Sequence, residues 1–431
     1  MNLQALCSST LQVQLANPNK LSPPYHFFTP SVQTYPYEKS ISNTKTQIGF
    51  CNLRKRVSES IIVMRNHGDS IGIKCEAVVD KDDGFYMRRC VEIAKKAIGC
   101  TSPNPMVGCV IVKDGVVVGE GFHPKAGQPH AEVFALRDAG DLAANATAYV
   151  SLEPCNHYGR TPPCTEALIS AKVKRVVVGM VDPNPIVASK GVEKLRDSGI
   201  DVTVGVEEEL CKMLNEAYIH RMLTGKPFVT LRYSLSVNGQ LSDQIGEGAK
   251  VAGGYYSQLL QEYDGIIYSS TSITGKSIPT SQESHVKQPL QIIIAKSPNS
   301  PVQPPHFSTD AASQVIVFAE KDIGTDPEIV QQGIETVILE KLQLNAILDH
   351  CAQRGLCSVL IDLQGSFGDL KELLEEGVDN GLLQKVVMEL LPFWDEGKES
   401  LTLKNLEKRV LRLDKLLPKT SGESVVVYGY L

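Results

Sequence analysis

The chain has 431 residues, 42% hydrophobic and 21% charged, with a formal net charge of -6. That length exceeds one ordinary core and predicts two domains plus an extension, and no run of about 18 apolar residues marks a membrane span. The acidic balance excludes a general pull on nucleic acid, and the eleven cysteines, odd in number in so large a chain, exclude a small secreted disulfide framework and point to a reducing compartment.

Residues 1 to 75 are rich in Ser, Thr, Asn and Pro and carry eight Lys or Arg against three acids, Glu38, Glu59 and Asp69. This composition predicts a disordered transit peptide for organelle import. A secretory signal would need an apolar core of about 7 to 15 residues, which is missing here. A plain disordered tail is the alternative. From Asp82 to Gly99, helical spacing places Phe85, Met87, Val91, Ile93, Ala94 and Ala97 on one side. Two apolar runs, 107–112 and 116–121, flank Lys113-Asp114-Gly115, whose Asp-Gly suits a tight hairpin. Helix-like segments at 130–139, 162–172, 187–198 and 207–223 then alternate with strands at 147–152, 174–180 and 200–205, which predicts a sheet covered by helices. A second α/β domain follows, with strands at 228–236, 265–269, 290–295, 314–318, 336–339 and 358–361. Its polar stretch 276–288 and Pro-rich stretch 297–308 read as loops.

His130-Ala131-Glu132, then Glu153-Pro154-Cys155, then Cys164 form the constellation with chemical content. One imidazole and two thiolates suit tetrahedral zinc, and three protein ligands leave the fourth place for a water. Such a water has a pKa near 7. Glu132, two residues past the histidine, is placed to carry protons to a ring nitrogen and a departing amine. Alone, Cys155 and Cys164 would pass for small buried hydrophobes. No fourth Cys or His sits at ligand spacing, although His157 is the nearest candidate, so an open catalytic site is expected rather than a closed structural one. Cys90, Cys100 and Cys109 read as core.

The run from Cys155 through Asn156-His157-Tyr158-Gly159-Arg160-Thr161-Pro162-Pro163 to Cys164 resembles the deaminase of riboflavin biosynthesis. So do Ser102 to Gly108, Gly121-Phe122-His123, Gly127 to Glu132, Leu152 to Cys164 and Asp182-Pro183-Asn184-Pro185, in that family's order. The resemblance implies a cytidine-deaminase-like three-layer α/β/α domain over residues 80–224. It implies Zn2+ as cofactor on His130, Cys155 and Cys164, with Glu132 catalytic. The implied reaction is hydrolysis of 2,5-diamino-6-(5-phosphoribosylamino)pyrimidin-4(3H)-one to the 5-amino uracil with release of ammonia, in the plastid stroma (chloroplast). The family's substrate contacts fall on Asn104, His123, His157, Arg160, Asp182 and Asn184. Arg160, often Lys in the family, and the histidines suit a phosphoribosyl end, and the amides and carboxylate suit the pyrimidine. Asn104 and Asp182 could equally be turn formers beside Pro105 and Pro183. The implied partner is a small molecule, with no nucleic acid and no membrane.

Residues 225–431 resemble the dihydrofolate-reductase-like domain that follows the deaminase in bacterial members, beginning at Pro227 to Arg232. Several of that domain's motifs are altered. Arg232 stands for Lys, Asn238-Gly239 for Asp-Gly, and Gly248-Ala249-Lys250-Val251 for Ser-x-Trp-Ile. No Arg occurs between Ser277 and Gln288, and Asp362-Leu363-Gln364-Gly365 replaces Glu-x-Gly-Pro. A degenerate reductase is therefore expected, which could help fold or oligomerise the first domain. A bifunctional deaminase and reductase, a nucleoside or nucleic-acid deaminase and an inactive scaffold are the rival readings. Glu132 argues against the last.

Overall fold

The computed structural model describes residues 82–159, 162–184, 188–273, 278–284, 287–296, 314–320, 334–364, 368–396 and 411–431. Residues 1–75, Arg160, Gly365 and the loop 297–308 lie outside them.

The first domain opens with helix α1 (Asp83–Ala94), capped by the Asp82 carboxylate, which accepts from the Phe85 N–H. Tyr86, Met87, Cys90, Val91, Ile93 and Ala94 form its buried face. Phe85, expected on that face, is exposed, and Tyr86 takes the inward place. Strands β1 (Gly108–Lys113) and β2 (Val116–Phe122) form the expected hairpin. Asp114 and Gly115 both have positive φ, the conformation that a right-twisted two-residue turn requires. Then come α2 (Ala131–Ala139), β3 (Thr147–Leu152), α3 (Cys164–Ser170), β4 (Arg175–Met180), α4 (Lys190–Asp197) and β5 (Asp201–Val204).

The sheet order is β2-β1-β3-β4-β5, with β1 antiparallel to β2 and β3 and β3, β4 and β5 mutually parallel. Side chains alternate between two cores. Cys109, Ile111, Val150 and Val178 face α2, α3 and α4, whereas Val110, Val112, Tyr149 and Val177 face α1 and α5 (Glu208–Leu214). The three-layer α/β/α arrangement follows from that alternation.

The segment expected as one helix over 207–223 is two, α5 and α6 (Glu216–Thr224), separated at Asn215. Asn215 Oδ1 accepts from the Met106 N–H at 2.8 Å and its Nδ2 donates to the Met106 carbonyl at 2.9 Å. An Asn side chain committed to another strand's backbone is a poor continuation of a helix.

The second domain contains β6 (Phe228–Ser236), β7 (Leu241–Ser242), α7 (Tyr255–Gln261), β8 (Gly265–Ser269), α8 (Ser270–Ile273), β9 (Leu290–Ala295), β10 (Val315–Glu320), β11 (Glu335–Leu339), α9 (Leu344–Gln353), β12 (Ser358–Leu363), α10 (Lys371–Asp379), β13 (Lys385–Leu391), β14 (Asp414–Ser421) and β15 (Ser424–Tyr430). Its sheet runs β11-β10-β9-β8-β12-β6-β13-β15-β14, with β7 beside β6. It is parallel from β11 to β13 and closes on an antiparallel pair. Helix α7 covers one face and α9 with α10 the other. Strands β6, β8 and β9 keep the bounds expected from their apolar runs.

Candidate active site

Strand direction gathers the site at one edge of the first sheet. The parallel strands β3 and β4 end at Leu152 and Met180, and loops at the carboxyl ends of parallel strands are where α/β sheets bind ligands. Because β1 is antiparallel to β3 and β2 to β1, residues just before β1 and just after β2 reach that same edge. The loops holding Asn104, His123, Cys155, Asp182 and Asn184 therefore meet there. Helix α2 starts there too, with His130 as its N-cap. A Cβ on Gly121 would lie 2.4 Å from the Ala131 carbonyl, so glycine lets β2 and α2 close up and fixes where His130 stands.

The ligand atoms of His130, Cys155 and Cys164 all lie within 4.8 Å of one another. His130 Nδ1 is 3.5 Å from the Cys155 sulfur and 3.3 Å from the Cys164 sulfur. Cys164 is the first residue of α3, and its N–H donates to the Cys155 sulfur at 3.4 Å. Only two of the three ligands stand at helix starts, since Cys155 sits in the preceding loop. The Cys164 thiol and N–H, with His130, hold Cys155 as a thiolate, pushed down to about 4. That neighbouring sulfur and burial push Cys164 the other way. His157 is exposed and falls outside this group.

Glu132 is 3% exposed, and among the described residues its Oε2 has no hydrogen-bond partner. Burial pushes its carboxyl up to about 7, with the Cys155 charge adding to the effect. One cavity of about 260 Å³ is lined by His130, Glu132 and Cys155 together with Asn104, His123, His157, Asp182, Asn184 and Tyr218. Five of the six expected substrate contacts thus face the same space as His130 and Cys155. Arg160, the sixth, is outside the described residues.

His123 lines the cavity with both ring nitrogens already engaged. It is buried, its Nδ1 lies 3.1 Å from the Pro129 carbonyl, and its Nε2 lies 3.2 Å from Asn104 Nδ2. A carbonyl only accepts, so Nδ1 carries the proton and Nε2 accepts from the amide. Burial lowers the His123 pKa and favours that neutral form. The ring therefore orients Asn104.

Two site residues, Tyr218 and Asn215, escaped the sequence reading, and a third, Glu153, was noted there only as part of the Cys155 motif. Tyr218 donates to Asp182 at 3.2 Å, and Asn215 clamps Met106 beside Asn104. Glu153, 4% exposed, accepts four backbone N–H groups, from Asp182 at 3.2 Å, Ser189 at 3.0 Å, Gly191 at 2.8 Å and Val192 at 3.1 Å. It ties the Cys155 loop to the Asp182 loop and to the start of α4. The signal for Glu153 was its neighbour Cys155. Tyr218 and Asn215 carried none, because their partners lie 36 and 109 residues away.

Residues 80–180 match the cytidine and deoxycytidylate deaminase zinc-binding region. The chain is 57% identical to the chloroplastic riboflavin biosynthesis protein PYRD of Arabidopsis thaliana, covering 90% of this chain and 88% of that one. It is 41% identical to RibD of Synechocystis, over 72% of this chain and 84% of the relative. Among solved structures, Acinetobacter baumannii RibD superposes with a TM-score of 0.67 at 32% identity, covering 81% of this chain and 98% of that one. The deaminase/reductase of Thermotoga maritima gives 0.68 at 29% identity, with the same coverage. Both domain folds are thus those the motifs implied, a cytidine-deaminase-like domain followed by a dihydrofolate-reductase-like one. The PYRD of Zea mays is also named chloroplastic, and the chain is a plastid protein. Given relatives this similar along most of its length, the chain belongs to the PYRD and RibD family of riboflavin biosynthesis and carries that family's zinc-type pyrimidine deaminase domain.

Proposed function

We propose that this chain hydrolyses the diamino-pyrimidinone ribosylamino phosphate to the corresponding amino uracil and ammonia, with zinc held by His130, Cys155 and Cys164. One observation carries the reading. Three metal-type donors lie within 4.8 Å of one another, and two of them, His130 and Cys155, line one cavity at the sheet edge with Glu132, whose buried Oε2 has no partner among the described residues. The donor set fits zinc, and a buried carboxylate oxygen without a partner is costly unless it has work to do. Zinc bound there would acidify a water toward pKa about 7. The chain's own residues do the rest. Glu132 passes one proton of the attacking water to the ring nitrogen and then moves the hydroxyl proton of the resulting carbon adduct to the amine, which leaves as ammonia. Asn104, set by His123, and the Asp182 carboxylate, set by Tyr218, meet the polar edge of the pyrimidine. His157 and Arg160 serve the phosphoribosyl end, and residues 1–75 serve as the transit peptide.

Glu132→Gln tests the central role. The variant should keep about one zinc per chain while turnover falls by about two to four powers of ten, the range of lost general acid-base help. Full turnover in that variant would refute the assignment.

The second domain reads as a reductase shell without its chemistry. Arg232, where the family usually has Lys, is fully buried and donates to Asp362 at 3.2 Å, Glu389 at 2.8 Å and Tyr255 at 2.8 Å. Its charge is spent inside the domain. Purified chain given the deaminated product and NADPH should show no steady NADPH oxidation, and steady oxidation would restore the bifunctional reading.

A further inference from the structure

The loop from Thr101 to Val107 carries Asn104 and Pro105 into the cavity, and the sequence between them and β1 gives it no regular structure of its own. Its two ends are held from outside. At one end Met106 is clamped by Asn215 through both its N–H and its carbonyl. The residue after that clamp, Glu216, is held by the second domain, through Lys385 Nζ at 2.6 Å and the Tyr430 hydroxyl at 2.6 Å. At the other end the Ser102 hydroxyl donates to Asp264 Oδ2 at 2.8 Å. Asp264 belongs to the turn between α7 and β8 of the second domain. The same oxygen accepts the N–H groups of Cys357 at 2.7 Å and Ser358 at 3.2 Å, and the Asp264 N–H donates to the Ser358 hydroxyl at 3.0 Å. Asp264 is thereby fixed within its own sheet and offers a preset acceptor to the neighbouring domain.

His130, Cys155 and Cys164 are arranged by bonds within the first domain. Among the cross-domain bonds, that of Ser102 lands on the loop that presents Asn104 and those of Glu216 beside the Asn215 clamp on it, while Glu209 and Arg221 tie α5 and α6 to the second domain. We infer that the reductase-like domain serves the deaminase as a positioning element, with Asp264 and Ser102 holding the Asn104 loop in its substrate-binding form. A loop ordered beforehand spares the substrate the entropy of ordering it. Ser102 is a positioning residue in this sense, and it acts through Asn104. The inference rests on the deaminase reading above and adds a role for the second domain.

The test is a kinetic comparison of the full-length, zinc-loaded chain and three variants, with ammonia release as the readout. Ser102→Ala removes the donor and leaves Asp264 bonded to Cys357 and Ser358. Loss of one hydrogen bond to a charged group should raise KM by about 10-fold, with kcat and zinc content close to wild type. Ser102→Thr, which keeps the hydroxyl, should restore KM. In an Asp264→Ala background, Ser102→Ala should raise KM no further. Should Asp264→Ala fail to fold, the Ser102 pair decides alone. A Ser102→Ala chain with wild-type KM, or an equal rise in the Asp264→Ala background, would overturn the inference. A wild-type chain that releases no ammonia would overturn the deaminase reading, and this inference with it.

Discussion

Replacing Glu153 by Gln changes one atom in a buried hub and creates no cavity, so its cost reads the hub directly. The carboxylate accepts four backbone N–H groups, with Oε1 taking Gly191 and Val192 and Oε2 taking Asp182 and Ser189. An amide has one acceptor oxygen and one donor nitrogen. Whichever way the introduced amide turned, two of the four N–H groups would face an NH2 group. At about 1–3 kcal/mol for each buried donor left unpaired, the two together should cost about 2–6 kcal/mol. That is a large part of the roughly 5–15 kcal/mol that holds a typical domain together. Urea unfolding of the zinc-loaded chain measures the loss. The Asp182 loop should also loosen, so KM should rise in the fraction that remains folded. An unfolding free energy within about 0.5 kcal/mol of wild type, the size of an ordinary surface substitution, would refute the reasoning.

Gly191→Ala should strike the same junction sterically. Its Cβ would sit 2.0 Å from the Pro154 carbonyl, and pushing α4 away from the Cys155 loop should cost about 1–3 kcal/mol and speed zinc loss to a chelator. An unchanged chelation rate would count against it. Arg232→Met should destabilise the second domain by about 3–5 kcal/mol, because Asp362 and Glu389 would stay buried without their cation. An unchanged denaturation midpoint would show that the ion cluster carries no such weight. Asp83 is held below the usual carboxylate range by its hydrogen bonds to Arg175, with Tyr149 also donating to it. A lowered folded-state pKa gives stability that is present above the unfolded value near 3.8 and is lost as pH falls through the folded value. Asp83→Asn should therefore flatten the fall in stability below about pH 4, and an unflattened fall would contradict the pairing.

The parts legible in the sequence were those written in local pattern. Alternating apolar runs fixed most strands of the first domain, and Asp114-Gly115 fixed its hairpin. The ligand set was legible because zinc chemistry restricts residue type and spacing together. What stayed hidden depended on distant partners. Asn215 breaks a segment with good helical spacing because its amide is committed to Met106. His123 was read as a substrate contact, and only the fold shows Pro129 and Asn104 at its two nitrogens. The strands β13, β14 and β15 were not anticipated. Arg232 was noted as a departure from the family, but its enclosure by Asp362 and Glu389 required strands more than a hundred residues apart to pair.

The central claim is tested most directly by counting zinc and ammonia together, in the wild-type chain and in Cys155→Ser and Cys164→Ser, with freshly generated pyrimidine substrate. The wild type should hold about one zinc per chain, the number that three protein ligands and one open place imply, and release ammonia steadily. Both variants should lose metal and ammonia release together. A variant that releases ammonia at the wild-type rate without zinc would contradict the account.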